Sequence, residues 1–150
     1  MPIRTRRWND PASASDGLRL LICRYRPRAL PKSRETWQQW EKELGPSAEL
    51  LAAFRGKRGA PIPWAQYRAR YLREMEAQRA RIGELARRVA AGGTITLLCA
   101  SSCTDENRCH RSLLRELIER AAALSVAPPA RAAAPSGASA GQGRRSSRAS

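Results

Sequence analysis

Residues 94–100 read Thr-Ile-Thr-Leu-Leu-Cys-Ala and follow the pair Gly92-Gly93. The run is short, aliphatic and β-branched, with glycines before it and a polar stretch after it. It reads as a buried strand. A second run of this kind lies upstream, Leu18-Arg-Leu-Leu-Ile-Cys-Arg24, bounded by Gly17 and Pro27. Ile3 to Trp8 is expected as an edge strand beside that second run. The chain between the two apolar runs carries helical patterns. Two apolar strands joined by long helical crossovers pair in parallel, with helices packed on the sheet. The fold class expected is therefore α/β, with a small parallel-type sheet of about two to four strands and about five helices.

The helical patterns have recognisable ends. Ser33 is placed to cap a helix running through Leu44, with Gly45 as its stop, and Trp37, Trp40 and Leu44 then share one face. Ser47 is placed to cap a shorter helix over 48–55 that ends at Gly56. The stretch 56–63, GKRGAPIP, reads as a loop. Trp64, Tyr67, Tyr71, Met75, Ile82, Leu85 and Val89 mark a helical pattern from Trp64 to Ala91. That is longer than most globular helices, so a break is expected near Ala77–Gly83. After the strand at 94–100, Cys109 to Ala123 is amphipathic, with Leu113, Leu114, Leu117 and Ile118 inward.

Composition bounds the rest. The chain has 150 residues, 42% of them hydrophobic, with net charge +15. That fits one domain with a modest core, and no run nears the roughly 20 apolar residues of a membrane span. The start, MPIRTRRWNDP, lacks the apolar region of a secretory signal. Four cysteines are too few and too clustered for a disulfide scaffold, so a cytoplasmic, reducing setting is expected. Arg supplies 25 of the 28 cations, a skew that fits either a solvated surface or a polyanionic partner. The end of the chain has no aromatic residue, no acid and no periodicity from Ala122 onward. The expected organisation is a domain over 1–124 and a disordered Ala/Ser/Arg-rich tail over 125–150. Residues 18–121 still carry net +10, so the basic character is not confined to the tail.

In open α/β sheets, ligands bind beyond the carboxyl ends of the strands. That rule selects two segments, Arg24 to Leu30 and Cys99 to Arg111. Arg24, Arg28 and Arg111 are candidate anion-binding groups beside a helix N-terminus, with pairing to Asp105, Glu106 and other acids as the structural alternative. His110, the only histidine, is a candidate acid/base or an anion donor, and equally a structural residue. Cys109 at the helix start is a candidate nucleophile or redox thiol, while Cys23 and Cys99 read as small buried hydrophobes. Cys99, Cys103, Cys109 and His110 bring zinc into consideration, but C-x3-C-x5-C-H is not a standard knuckle, and adjacent Cys109 and His110 diverge. No metal and no cofactor is therefore expected. A Walker loop, a G-x-G-x-x-G fingerprint and a serine elbow are all absent, which argues against common ATP, dinucleotide and hydrolase chemistry.

Several pieces taken together carry a family resemblance: IRTRRWNDP, DGLRLLICRYRPRALPK, the segment with Trp37 and Trp40, GPSAELLAAF, WAQYRARYLREM, and GGTITLLCA followed by CHRSLL. In this order, over roughly 3–121, the chain resembles the YeaO-like proteins, grouped as domain of unknown function 488. The resemblance implies a compact α/β domain and no assured activity. Arg24, Arg28, Cys109, His110 and Arg111 match the pattern, as do Tyr67, Arg70 and Tyr71. Cys23, Arg26 and Ser101 depart from it, standing where the family often has Asp, Trp and an acidic residue. Two function classes follow. One is a domain that binds or acts on a phosphate-bearing, nucleotide-like ligand at the carboxyl edge of the sheet. The other is a basic, nucleic-acid-associated accessory protein without catalysis. Neither implies a membrane partner or fixes an oligomeric state.

Overall fold

The computed structural model describes residues 2–126. The expected disordered tail lies, from 127 on, outside the described residues. Four strands, β1 (Ile3–Arg7), β2 (Leu18–Leu21), β3 (Gln39–Trp40) and β4 (Ile95–Cys99), form one sheet in the order β1-β4-β2-β3. Every pairing is parallel, with Ile3 and Leu18 both opposite Ile95, and Leu21 opposite both Leu98 and Trp40. The α-helices are α1 (Ala48–Phe54), α2 (Trp64–Met75), α3 (Arg79–Ala90) and α4 (His110–Val126), alongside five short 3-10 turns. The α/β class and the parallel sheet are as read from the sequence. The number of α-helices is one fewer than expected among the described residues.

β4 is central because it can be. All five of its residues are buried, as a strand covered on both faces requires. Its side chains alternate between two apolar layers. Ile95 and Leu97, with Leu20 and Ile22 from the β2 run, face a core built with Tyr71, Met75, Leu85, Leu114 and Ile118 from the helices. Leu98 and Leu21 face the other way, onto Trp37, with Trp8 and Leu30 packed around it. That second layer is made of loop and not of helix. Trp8 meets Trp37 edge to face at 6.3 Å, and the Arg26 guanidinium lies 5.8 Å from the Trp37 ring centre.

The structure corrects the expected helix over 33–44. Only Lys32–Arg34 and Lys42–Leu44 make single 3-10 turns, and Gln39–Trp40 is a strand. Trp37, Trp40 and Leu44 therefore go to three places: the second apolar layer, the exposed edge, and the helical core. The cause is the free edge of β2. Gln38 N donates to Arg19 O at 2.9 Å and Glu41 N to Leu21 O at 2.7 Å. These bonds satisfy backbone groups that a helix here would leave without partners. The placement of β1 is corrected as well: it is an edge strand, but β4 separates it from β2.

Other expectations match closely. Ser47 Oγ accepts from Leu50 N at 3.1 Å and caps α1. The long pattern breaks at Glu76–Gln78, where one 3-10 turn separates α2 from α3. Helix α4 begins at His110 and continues to Val126, just beyond the expected start of the tail. Among the described residues, no helix is long and apolar enough to cross a membrane.

Candidate functional site

Parallel strands place their carboxyl ends together, and a cavity of about 410 Å³ opens there. Cys23, Arg24 and Tyr25 enter it from the end of β2, and Cys99 and Ala100 from the end of β4. The loop after β4 adds Ser102, Cys103, Thr104, Asp105 and Arg108, and the start of α4 adds Cys109 and His110. Pro46, Leu51, Phe54 and Arg55, from the α1 segment, and Tyr67 of α2 form the opposite wall. Gly45 makes this closure possible. A Cβ there would stand 2.7 Å from Arg24 N and 2.9 Å from Ile22 O, so only a residue without a side chain lets the turn press on the end of β2.

The aromatic wall is ordered by packing. Phe54 and Tyr67 lie 4.3 Å apart between ring centres, Trp64 and Tyr67 5.3 Å, and Tyr67 and Tyr71 6.3 Å. Tyr71 is fully buried and donates its hydroxyl to Leu44 O at 2.8 Å, so it fixes the turn before α1 and does not reach the cavity. Burial, with neighbouring sulfurs, pushes both the Tyr67 and Tyr71 phenols upward, and both stay neutral.

The sequence-predicted residues separate. Arg24 lines the cavity, with Nε donating to Pro46 O and one terminal nitrogen to Glu43, both at 3.0 Å. Arg28 lines a neighbouring hollow of about 250 Å³ with Trp8, Pro27 and Ser101. Cys23, Tyr25 and Ala100 border both hollows and stand between them. Arg111 lines neither. It is buried, donates to Cys103 O at 3.3 Å, and its Nε has no partner among the described residues. His110 lines the cavity, yet its Nε2 donates to Ile22 O at 2.6 Å. Burial holds its pKa below the usual value, so the ring is neutral and ties α4 to the end of β2.

The sulfurs converge. All four cysteines line the cavity, and all are free thiols. Cys99, Cys103 and Cys109 hold their Sγ atoms within 4.8 Å of one another, with Cys109 and Cys99 3.3 Å apart. Cys109 and Cys99 are buried and Cys103 is half-buried. Hydrogen bonds from Cys109 and Cys99 pull the Cys103 thiol down, helped by the charge of Arg111. The same cluster pushes the Cys109 thiol up. Cys109, singled out from the sequence as the nucleophile, is thus the less acidic and more enclosed sulfur of the two.

Arg55 was not visible as a site residue from the sequence, because nothing in the spacing of α1 tells that its end faces the β2 and β4 termini. The side chains of Arg55 and Arg108 are exposed on the cavity rim and make no ion pair or hydrogen bond among the described residues.

Residues 3–122 match the family described as the Active DUF488-N3 subclade. The chain is similar to the uncharacterized protein YeaO of Escherichia coli (strain K12), at 36% identity over 107 residues, which covers 71% of this chain and 90% of that protein. No solved structure matches the chain.

Proposed function

The chain belongs to the YeaO-like DUF488 family, and from that premise we propose that it binds a small phosphate-bearing, nucleotide-like molecule in the cavity at the carboxyl edge of its sheet. One observation carries this reading. Arg24, Arg55 and Arg108 rim a cavity that has one acidic lining residue among the described residues, Asp105, and aromatic side chains on both sides, Tyr25 at the end of β2 and Phe54 and Tyr67 on the opposite wall. Guanidinium groups suit the forked oxygens of a phosphate, and aromatic faces suit a flat organic group. The volume lies in the ordinary range for small-ligand sites. Cys109 and His110 contribute to the floor, His110 as a neutral positioning group. Arg28, in the hollow beyond Tyr25, is reserved for a ligand long enough to cross that side chain.

The test is a thermal melt with a nucleoside monophosphate, a nucleoside and inorganic phosphate. Ligand at about 100 times Kd stabilises by about 2.7 kcal/mol, which is roughly 5–10 °C for a chain of this size. The monophosphate is expected to give that rise and the nucleoside little. Arg55→Ala and Arg108→Ala should each cut it, with the unliganded melt near wild type because both side chains are exposed. No rise with any of the three, or a rise in both variants equal to that of the wild type, overturns the reading.

A second reading rests on different residues. Arg68, Arg73, Arg79, Arg87 and Arg88 on α2 and α3 are exposed and make no ion pair among the described residues. A nucleic-acid backbone would use such groups. Retention on immobilised DNA beyond that on a plain cation exchanger at equal salt favours this reading, and equal retention removes it.

A further inference from the structure

We propose that the sulfurs of Cys99, Cys103 and Cys109 form a three-thiolate seat for one thiophilic d10 cation, zinc foremost, with its fourth position open to the cavity. The spacing in sequence argued against zinc on the expectation that Cys109 and His110 diverge, yet both line the cavity, with His110 Nδ1 4.0 Å from Cys109 Sγ. His110 gives its Nε2 to Ile22 O, but among the described residues the atoms that all lie within 4.8 Å of one another are the three sulfurs alone, so the seat is drawn on them. The three sulfurs nevertheless meet, because the loop 100–108 folds back across the end of β4.

Zinc–sulfur bonds of about 2.3 Å put the sulfurs of a tetrahedral site roughly 3.8 Å apart. One pair here is at 3.3 Å and all three lie within 4.8 Å, so small rotations about χ1 suffice. The ligands come from three segments that are already held: the last residue of β4, the loop, and the residue before α4. Cys103 N donates to Ala100 O at 3.0 Å and Ser112 Oγ to Glu106 O at 2.7 Å. Thr5 Oγ1 donates to the Glu106 carboxylate, also at 2.7 Å, which ties the loop to β1. The seat is therefore built before any ion arrives, as a specific site needs.

Arg111 supplies an independent observation. It is only 5% exposed, has no carboxylate partner among the described residues, and leaves Nε without an acceptor while one terminal nitrogen holds Cys103 O. A buried guanidinium requires a compensating negative charge. Three thiolates around a dication carry net −1, which matches it. With two sulfurs enclosed and Cys103 half-buried at the cavity wall, three protein ligands and one accessible position give the arrangement of a zinc site open to exchangeable ligands.

Zinc alone, with no organic molecule present, tests this, so the seat and the phosphate reading can fail separately. The full chain is fully reduced, given zinc and desalted. The expected result is one zinc retained per chain, with three of the four thiols slowed toward a thiol reagent while the thiol of Cys23 stays reactive. Cobalt in place of zinc should give a sulfur-to-metal charge-transfer band, lost in Cys103→Ser, whose loop position leaves the circular dichroism spectrum unchanged. No retained zinc in the reduced chain, no protection of the thiols, or an undiminished band in a folded Cys103→Ser variant overturns the proposal.

Discussion

Asp16 is the most heavily engaged acid among the described residues. It is 1% exposed, ion-paired to Arg19, and approached by Arg4 at 3.4 Å and Arg6 at 3.8 Å, while its carboxylate accepts from Ser13 N at 2.9 Å. Burial alone would raise its pKa, but the Ser13 amide and the Arg19 guanidinium outweigh that and hold it below the usual carboxylate value. Its contribution to stability is therefore complete above an unfolded pKa of about 3.9 and is lost as pH falls through the lower, folded value. Asp16→Asn leaves the buried Arg19 without its partner and should cost about 3–5 kcal/mol in urea unfolding at neutral pH. The variant should also lack the wild type's loss of stability on acidification below about pH 4. A loss under about 1 kcal/mol, the scale of a surface pair, would show that Arg19 finds another acceptor.

Two neighbouring residues decide how the α1 segment meets the sheet. Ser47 caps α1 through Leu50 N and also donates its hydroxyl to Glu74 of α2 at 2.5 Å. Ser47→Ala should cost about 1 kcal/mol as a lost cap. Gly45 presses against the backbone of Ile22 and Arg24, and Gly45→Ala should cost more, in the 1–3 kcal/mol range of overpacking. Urea midpoints in the reverse order would contradict the close approach. Ser47 also shows what a local signal can tell. Its cap and the start of α1 were legible because cap and helix are adjacent in sequence. The 33–44 segment was misread because its fate depends on a distant edge: Arg19 O and Leu21 O need donors, and Gln38 and Glu41 provide them. Helical spacing among Trp37, Trp40 and Leu44 holds no information about that edge. The break at Glu76–Gln78 was legible from pattern length, without a Gly or Pro to mark it.

Across the whole molecule, the parallel pairing of β2 with β4 was legible, while the edge strands β1 and β3 were misplaced or missed and the site was legible only in part. Two apolar runs with helical crossovers imply a parallel pair, and a parallel pair implies a shared carboxyl edge, where the cavity lies. Arg24, Cys109 and His110 reach that cavity as expected. Arg28 goes to the adjoining hollow, beyond Tyr25. Arg111 follows His110 on the helix and so points another way, inward behind Cys103. The opposite wall comes from α1 and α2, and no periodicity tells which helix end a connection carries over a sheet edge. On the proposed function, the ligand occupies this cavity and not the arginine-rich surface of α2 and α3. The most direct measurement is backbone amide chemical-shift mapping by NMR as a nucleoside monophosphate is titrated into the full chain. Shifts are expected to concentrate at residues 23–25, 51–55 and 99–110. Shifts confined to the exposed arginines of α2 and α3, or spread evenly over the basic surface, would contradict that placement.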